Sequence, residues 1–196
     1  MLRAVQHSLM LSASAAIPPQ SISIWITALL LNAVLIGLAQ RLPLLTPAGW
    51  CHAGILGTIL WGALGWRGWL AVVAYLALGS LVTKLGFAHK QDLGLAEARG
   101  GRRGPENVWG SALTGLVLAL FIAIRVGPTQ WLLMGFTASF AAKLADTFGS
   151  EIGKRWGRTT LLITSLRPVP PGTEGAVSLE GTAASAFGSL LMLSLI

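Results

Sequence analysis

Six apolar stretches constrain this chain more than any other feature of its sequence. They lie at residues 22–40, 48–66, 68–83, 108–124, 129–142 and 176–196. A membrane-spanning helix needs about 20 mostly apolar residues, because the hydrocarbon core of a bilayer is about 30 Å thick. The stretch 22–40 meets this requirement without a charge. The stretch 129–142 is too short, so it either borrows length from the residues that follow or is not a simple lipid-facing span. The sequence therefore predicts an all-α, polytopic integral membrane protein with about six transmembrane helices.

The composition excludes an ordinary soluble fold. Hydrophobic residues make up 54% of the 196 residues and charged residues 11%, against about 25% charged residues in a typical soluble domain. A soluble domain of this size would leave large apolar patches exposed to water. We therefore predict one transmembrane domain at residues 21–196, preceded by a disordered or interfacial N-terminus at residues 1–20. Small residues at four-residue spacing (Gly181, Ser185 and Ser189) also predict close packing of the last helix.

Basic residues are concentrated around two polar regions, at 84–107 and 143–175. Two apolar stretches separate these regions and would form a hairpin, so both regions should lie on the same side of the membrane. Eleven of the 14 basic residues map to that side, which the positive-inside rule assigns to the cytoplasm. All seven acidic residues map there too. We interpret the net charge of +7 as a topology signal combined with phosphate chemistry, and we expect no nucleic-acid partner.

The segment 143–154 is the most informative polar stretch. On a helix, at about 100° per residue, its polar residues fall within an arc of roughly 140°. These residues are Lys143, Asp146, Thr147, Ser150, Glu151 and Lys154. Mg²⁺ prefers one or two carboxylates together with substrate phosphates and water. The stripe therefore indicates a magnesium site at Asp146 and Glu151, with the two lysines beside it for phosphate. The alternative is an interfacial helix whose polar side chains contact each other at helical spacing.

The segment 100–107 combines three glycines with Arg102 and Arg103. Glycines let backbone amides approach a ligand, and paired arginines suit phosphate. Pro105 is expected either to stop a preceding helix or to open the next one. Asn107 fits a cap for an apolar helix beginning at Val108. The alternative is a basic loop that only fixes the membrane topology.

The segment 167–182 contains three prolines, which forbid a continuous helix. Thr173, Glu174 and Glu180 then lie at the mouth of the last apolar stretch, where non-helical backbone usually lines a cavity. Glu180 has an alternative explanation, since an acid is favourable at a helix N-terminus.

The three histidines have no metal-ligand spacing, and the single cysteine excludes an intrachain disulfide.

Together these segments strongly resemble the phytyl-phosphate kinases of plastids and cyanobacteria. The blocks that carry the resemblance are LGLAEARGGRRGPENVWGS at 93–111, KLADT at 143–147, SEIGK at 150–154 and PGTEGAVSLEGT at 171–182. The resemblance implies a kinase that converts phytyl (prenyl) monophosphate to phytyl diphosphate, with CTP as the expected phosphoryl donor. The product would serve tocopherol and phylloquinone synthesis in phytol salvage, at an inner or thylakoid membrane. Because the chain stops inside an apolar stretch at Ile196, we expect it to be truncated at its C-terminus.

We assign catalytic roles to Lys143, Asp146 and Glu151, with Asp146 and Glu151 as the Mg²⁺ ligands. Contacts to the nucleotide and phosphates are assigned to Gly100, Gly101, Arg102, Arg103, Asn107, Ser150, Lys154, Thr173, Glu174 and Glu180. Two other enzyme activities stay open, a prenol kinase and a lipid cytidylyltransferase. A transporter with a buried acidic cation path is the alternative from another class. The sequence leaves the oligomeric state open.

Overall fold

The computed structural model describes residues 21–196, so the prediction for residues 1–20 lies outside the described part of the chain. Within 21–196 the chain forms seven α-helices, a short 3₁₀ turn and two short strands. The helices are α1 (Ile22–Ala39), α2 (Pro47–Leu64), α3 (Trp66–Lys84), α4 (Phe87–Asp92), α5 (Pro105–Ala123), α6 (Thr129–Trp156) and α7 (Leu179–Leu195). The 3₁₀ turn is Ala98–Gly101, and the strands are β1 (Thr160–Leu162) and β2 (Ala176–Ser178).

Each of the six apolar stretches contributes most of its residues to one helix, which confirms the helical fold class. The last stretch begins with the three residues of β2 before its helix starts at Leu179. Three of these helices, α1, α3 and α5, are long and apolar enough to cross a bilayer, with mean hydropathies of 2.2, 1.3 and 1.4. Large apolar side chains such as Ile26, Leu30 and Leu190 are exposed on the outer faces of the bundle. Hydrocarbon surroundings suit such a surface, whereas water does not. The number of spans, about six, stays a prediction.

Helix α6 is the longest element, with 28 residues, or about 42 Å at 1.5 Å per residue. The stretch 129–142 is therefore extended by the residues that follow it. The resulting helix is not among the three that are long and apolar enough to cross a bilayer, so both expectations for this stretch stay open. Its first half buries Phe136 and Phe140, and its second half carries the polar stripe. One continuous helix thus runs from the apolar core into the polar end of the molecule.

The core lies between α2, α3, α5 and α6, with a contribution from α7. Leu56 and Leu60 of α2 pack there with Leu116 of α5 and with the two α6 phenylalanines. The rings of Phe136 and Phe140 lie 5.2 Å apart, centroid to centroid. Helix α1 is peripheral by comparison, because its only buried residues are Ala28 and Asn32.

Helices α6 and α7 approach each other closely through small residues. A Cβ added to Gly181 would lie 2.8 Å from the carbonyl oxygen of Gly149. One turn later, the hydroxyl of Ser185 donates a hydrogen bond of 3.0 Å to the carbonyl of Ala145. The predicted close packing of the last helix is therefore confirmed, and its partner is the polar half of α6.

The strands β1 and β2 add an antiparallel pair to the helical fold, with Thr160 opposite Ser178 and Leu162 opposite Ala176. The proline-rich residues between them, 163–175, contain no helix, as predicted. Ser178 ends the pair and caps α7, because its hydroxyl accepts a hydrogen bond of 3.1 Å from the Gly181 amide. The pair therefore delivers the chain to the start of α7 beside α6.

The two polar regions meet at one end of the bundle. Lys90 from the first region forms an ion pair with Glu151 from the second. Lys154 lies 3.0 Å from Glu97, joining the same two regions. Their predicted placement on one side is confirmed. The assignment of that side to the cytoplasm stays a prediction.

Candidate active site

Two polar cavities open side by side at this end of the molecule. The first, which we call the arginine cavity, has a volume of about 350 Å³ and lies between α3, the 3₁₀ turn, α5 and α6. The second, the hairpin cavity, has a volume of about 320 Å³ and lies between α6, the two strands and the start of α7. Asp146 and Ser150 line both cavities. A ligand in one cavity would therefore approach a ligand in the other at these two residues.

The structure places ten of the thirteen predicted site residues on these cavity walls. Those of the arginine cavity are Gly101, Arg102, Arg103, Asn107, Lys143, Asp146, Ser150 and Glu151. Those found only in the hairpin cavity are Lys154 and Thr173.

The other three predicted residues, Gly100, Glu174 and Glu180, line neither cavity. Gly100 and Glu174 are exposed. Glu180 lies in the first turn of α7, where its carboxylate accepts a hydrogen bond of 3.4 Å from the Arg158 amide. Glu180 is thus engaged outside the cavities, in keeping with its alternative role at a helix N-terminus.

Arg103 is held in place from several sides. Its backbone N–H donates 3.0 Å to Leu44, and its carbonyl accepts 3.0 Å from Thr46, so the α1–α2 connection fixes its main chain. Its guanidinium donates a hydrogen bond of 2.6 Å to the Tyr75 hydroxyl. Tyr75 also shares a hydrogen bond of 2.8 Å with Ser111. This cation is therefore positioned at the wall of the cavity before any ligand arrives.

The start of α5 confirms one of the two roles expected for Pro105, that it opens the next helix, whereas the expected start at Val108 is wrong. The helix begins at Pro105 and not at Val108, so Asn107 lies in its first turn. Proline favours the first helical position because its missing N–H is not needed there. Asn107 still caps the helix, since its side-chain oxygen accepts a hydrogen bond of 3.0 Å from the Gly104 amide.

Asp146 has an exposed carboxylate. Within residues 21–196 no cation lies within ion-pair distance of it, and no side-chain hydrogen bond engages it. Ser150, one turn later, donates its hydroxyl to the carbonyl of Thr147 at 3.2 Å, which leaves lone pairs on its oxygen. This pair offers oxygen ligands at the junction of the two cavities.

Glu151 is only 3% exposed, and its carboxylate is already engaged. It forms an ion pair with Lys90, which is fully buried and also donates a hydrogen bond of 2.7 Å to the carbonyl of Thr83. Lys154 lies 3.8 Å from the second carboxylate oxygen. The prediction that Glu151 binds a metal stays a prediction, and its lysine partners favour a role in orienting the site.

The network continues from Lys154 to Glu97, which precedes the 3₁₀ turn. Partial burial acts to raise the pKa of Glu97. The hydrogen bond and charge of Lys154 outweigh it, with smaller effects from Glu151 and Arg103, so the pKa lies below its ordinary value. The Glu97 carboxylate is therefore ionised at neutral pH, and its ion pair with Lys154 connects the start of the 3₁₀ turn to α6.

The charges that remain unpaired define the electrostatics of the site. In the described chain, Arg102, Arg103 and Lys143 have no carboxylate within 4.0 Å, whereas the other cations on these walls are paired. Asp146 is the corresponding acid without a cation. Three free cations around one free carboxylate suit a ligand with several negative charges and a divalent cation beside it.

The donor set also limits the kind of metal. No group of three His, Cys, Asp or Glu side chains able to hold a metal occurs within residues 21–196. A closed structural zinc site needs four such ligands. Mg²⁺ fits better, because it is usually held by one or two carboxylates, substrate phosphates and water.

Four residues of the site were missed by sequence reasoning: Tyr75, Lys90, Glu97 and Ser111. Tyr75 carried a signal, since it is the only tyrosine in the chain and lies within an otherwise apolar helix. Lys90 resembled any other basic residue of a polar region. Its partner lies 61 residues later, and local spacing carries no information about such a contact.

The chain is similar to a family of integral membrane proteins and to several known relatives. The family described as Integral membrane protein DUF92 matches residues 30–196. The uncharacterized membrane protein sll0875 of Synechocystis sp. is 54% identical over 171 residues, covering 86% of this chain and 66% of that relative. The chloroplast protein VTE6 of Arabidopsis thaliana is 44% identical over 153 residues, covering 76% of this chain and 46% of that relative.

A more distant relative is the uncharacterized membrane protein MJ0933 of Methanocaldococcus jannaschii, 31% identical over 140 residues, or 71% of this chain and 56% of that relative. No solved structure matches the chain. The resemblance to plastid and cyanobacterial proteins is confirmed by the chloroplast and Synechocystis relatives. The chain spans between about half and two thirds of the length of these curated relatives.

Proposed function

We propose that this chain, which belongs to the DUF92 family of integral membrane proteins, transfers a phosphoryl group from a nucleoside triphosphate to a prenyl monophosphate in the membrane. Phytyl phosphate and CTP are the proposed pair of substrates. The observation that carries this proposal is the meeting of two polar cavities at Asp146 and Ser150. Transfer between two phosphorylated molecules needs adjoining sites whose phosphates meet, and positioning is most of its catalysis.

The unpaired cations support this reading. Arg102, Arg103 and Lys143 line the arginine cavity without carboxylate partners in the described chain. In the proposal they bind the phosphate oxygens and neutralise the charge that spreads over the transferred group. Arg103 is the best positioned of the three, because Tyr75 and the α1–α2 connection hold it.

Asp146 is the proposed ligand for Mg²⁺, with the Ser150 hydroxyl as a second oxygen donor. Bound there, Mg²⁺ would polarise the phosphates and neutralise their charge. Glu151 serves in the proposal as an orienting residue, since it holds Lys90 and Lys154 in place. Lys143, one turn before Asp146 on α6, contacts the phosphates.

The proposed step is a direct displacement. A phosphate oxygen of the prenyl monophosphate attacks the γ-phosphorus of the triphosphate. The bond from that phosphorus to the oxygen bridging to the β-phosphate breaks, and the nucleoside diphosphate leaves with that oxygen. A phosphate monoester is largely ionised at neutral pH, because its second pKa is about 6. The site therefore needs aligned cations more than a strong general base.

The test uses purified protein in nanodiscs with phytyl phosphate, Mg²⁺ and each nucleoside triphosphate in turn. We expect phytyl diphosphate and a nucleoside diphosphate in equal amounts, with CTP preferred, and no product when EDTA is added. Pyrophosphate release would identify a cytidylyltransferase instead. Phosphorylation of free phytol but not of phytyl phosphate would identify a prenol kinase. Nucleotide-independent flux across sealed vesicles, without either product, would support the transporter.

A further inference from the structure

An apolar groove lies between α1, α2 and α3, away from the two polar cavities. It has a volume of about 250 Å³. Twelve of its thirteen lining residues are apolar, glycine or tryptophan, among them Leu35, Ile36, Val72 and Leu76. Such a lining suits a hydrocarbon ligand, because a hydrocarbon chain packs against apolar side chains and needs no hydrogen-bond partner.

The one amide side chain in the groove is already hydrogen-bonded. The Asn32 side-chain nitrogen donates 2.8 Å to the carbonyl of Ala28. Its oxygen accepts a hydrogen bond of 3.0 Å from the Trp69 indole. A polar ligand group in the groove would therefore find the Asn32 amide and the Trp69 indole occupied. Among the described residues, the Trp50 indole N–H has no hydrogen-bond partner, and Trp50 lines both the groove and the neighbouring smaller cavity.

A smaller cavity of about 130 Å³ is a neighbour of both this groove and the arginine cavity, because it shares a wall residue with each. It shares Trp50 with the groove and Arg102 with the arginine cavity. Arg41 also lines it. The walls therefore run in order from apolar, through two arginines, to the polar cavity that contains Asp146.

We infer that this groove binds the hydrocarbon chain of the prenyl monophosphate, with its phosphate beside Arg41 and Arg102. The order of the walls matches an amphiphile with an anionic head, since hydrocarbon and cations meet at Trp50. This inference rests on the proposed function and deepens it. It places the phosphate of the lipid substrate at the Arg102 wall, which the smaller cavity shares with the arginine cavity.

Binding can be tested without turnover. Phytyl phosphate carrying a terminal photoreactive diazirine is added to the protein in nanodiscs, and the labelled peptides are mapped by mass spectrometry. We expect labelling on groove residues of α1, α2 and α3 that excess phytyl phosphate prevents and excess phosphatidylglycerol does not. Labelling spread over the outer faces, or equal competition by phosphatidylglycerol, would overturn the groove assignment.

A variant pair tests the same site kinetically. Ala53 lines the groove, and Ala33 is exposed on the outer face of α1 and does not line it. Ala53→Phe should raise the KM for phytyl phosphate by about tenfold, because the added ring occupies space that the hydrocarbon chain would fill. The KM for CTP and for the shorter geranyl phosphate should stay unchanged, and Ala33→Phe should resemble the wild type.

The two assays separate the two claims. Specific labelling of the groove without turnover would support binding of the prenyl hydrocarbon chain in the groove and contradict the kinase proposal. Turnover with an unchanged KM in Ala53→Phe, together with labelling outside the groove, would support the kinase proposal and contradict binding of the hydrocarbon chain in the groove.

Discussion

Asp146 and Glu151 lie five residues apart on α6, yet they occupy opposite environments. Asp146 is exposed at the junction of the two cavities and has no cation partner among the described residues. Glu151 is only 3% exposed and is paired with Lys90, with Lys154 also near. The sequence alone gave both carboxylates the same predicted role as metal ligands. Their partners divide them into one group available to a ligand and one that organises the structure.

This difference arises from the geometry of the helix and its neighbours. Glu151 faces Lys90 of α4, which follows α3 closely and brings a lysine into the interior. A buried carboxylate is tolerated only when it is paired and hydrogen-bonded. Asp146 faces open space and solvent, where an ionised carboxylate is stable alone. We therefore expect substitution of Asp146 to affect activity and substitution of Glu151 to affect stability.

The largest effect is expected on activity. Asp146→Asn should lower turnover of phytyl phosphate by about a hundredfold or more, because a catalytic metal contributes several kcal/mol to the transition state. Its melting temperature should stay near that of the wild type. The matched control is Asp92→Asn, an exposed acid that lines neither cavity. Equal activities of the two variants would remove Asp146 from the site.

The second effect is expected on stability. Lys90→Met and Glu151→Met each break a buried ion pair, which usually costs about 3–5 kcal/mol in the free energy of unfolding. The double variant Lys90→Met/Glu151→Met should lose much less than the sum, because no unpaired charge remains. Denaturant titration in detergent provides the measurement.

The exposed pair Arg99–Glu106 supplies the control for that experiment, with side chains 48% and 58% exposed. Arg99→Met should leave the unfolding midpoint unchanged, since exposed ion pairs contribute little. A Lys90→Met variant as stable as Arg99→Met would show that the buried pair is not structural.

Sequence reasoning reached the polar stripe of α6 because helical periodicity is local and is visible in residues 143–154. It also predicted Arg102 and Arg103 as phosphate contacts, and both line the arginine cavity. It could not find the Lys90–Glu151 pair, because a contact between residues 61 positions apart depends on how the helices assemble. The two strands were missed because each has three residues beside a proline-rich loop. Helix α5 began earlier than predicted because Pro105 starts it.

A smaller effect is expected at Tyr75. Tyr75→Phe keeps the ring but removes the hydroxyl that accepts from Arg103. A hydrogen bond of this kind contributes about 0.5–1.5 kcal/mol. The KM for phytyl phosphate should therefore rise about two- to tenfold. Ser111→Ala leaves the Tyr75–Arg103 bond intact and should have less effect. A larger effect of Ser111→Ala would place the important contact elsewhere.

The smallest effect is a pH dependence of stability from Glu97. Its pKa in the folded protein lies below the ordinary value of 4.5 because of Lys154, despite partial burial. The ion pair therefore stabilises the fold above that value, and its contribution disappears as the pH falls through the lower folded pKa. Glu97→Gln should lower the melting temperature at neutral pH and match the wild type at acidic pH. Glu174→Gln, at an exposed acid outside both cavities, should show no such convergence.

The division between the two α6 carboxylates is tested most directly by metal binding. Mn²⁺ replaces Mg²⁺ as a paramagnetic probe, and its binding in the presence of CTP is measured by electron paramagnetic resonance for the wild type, Asp146→Asn and Asp92→Asn. We predict that Asp146→Asn loses most of the bound Mn²⁺ signal while Asp92→Asn keeps it. Unchanged Mn²⁺ binding in Asp146→Asn would contradict the assignment of Asp146 as the metal ligand and would favour Glu151 as the ligand instead.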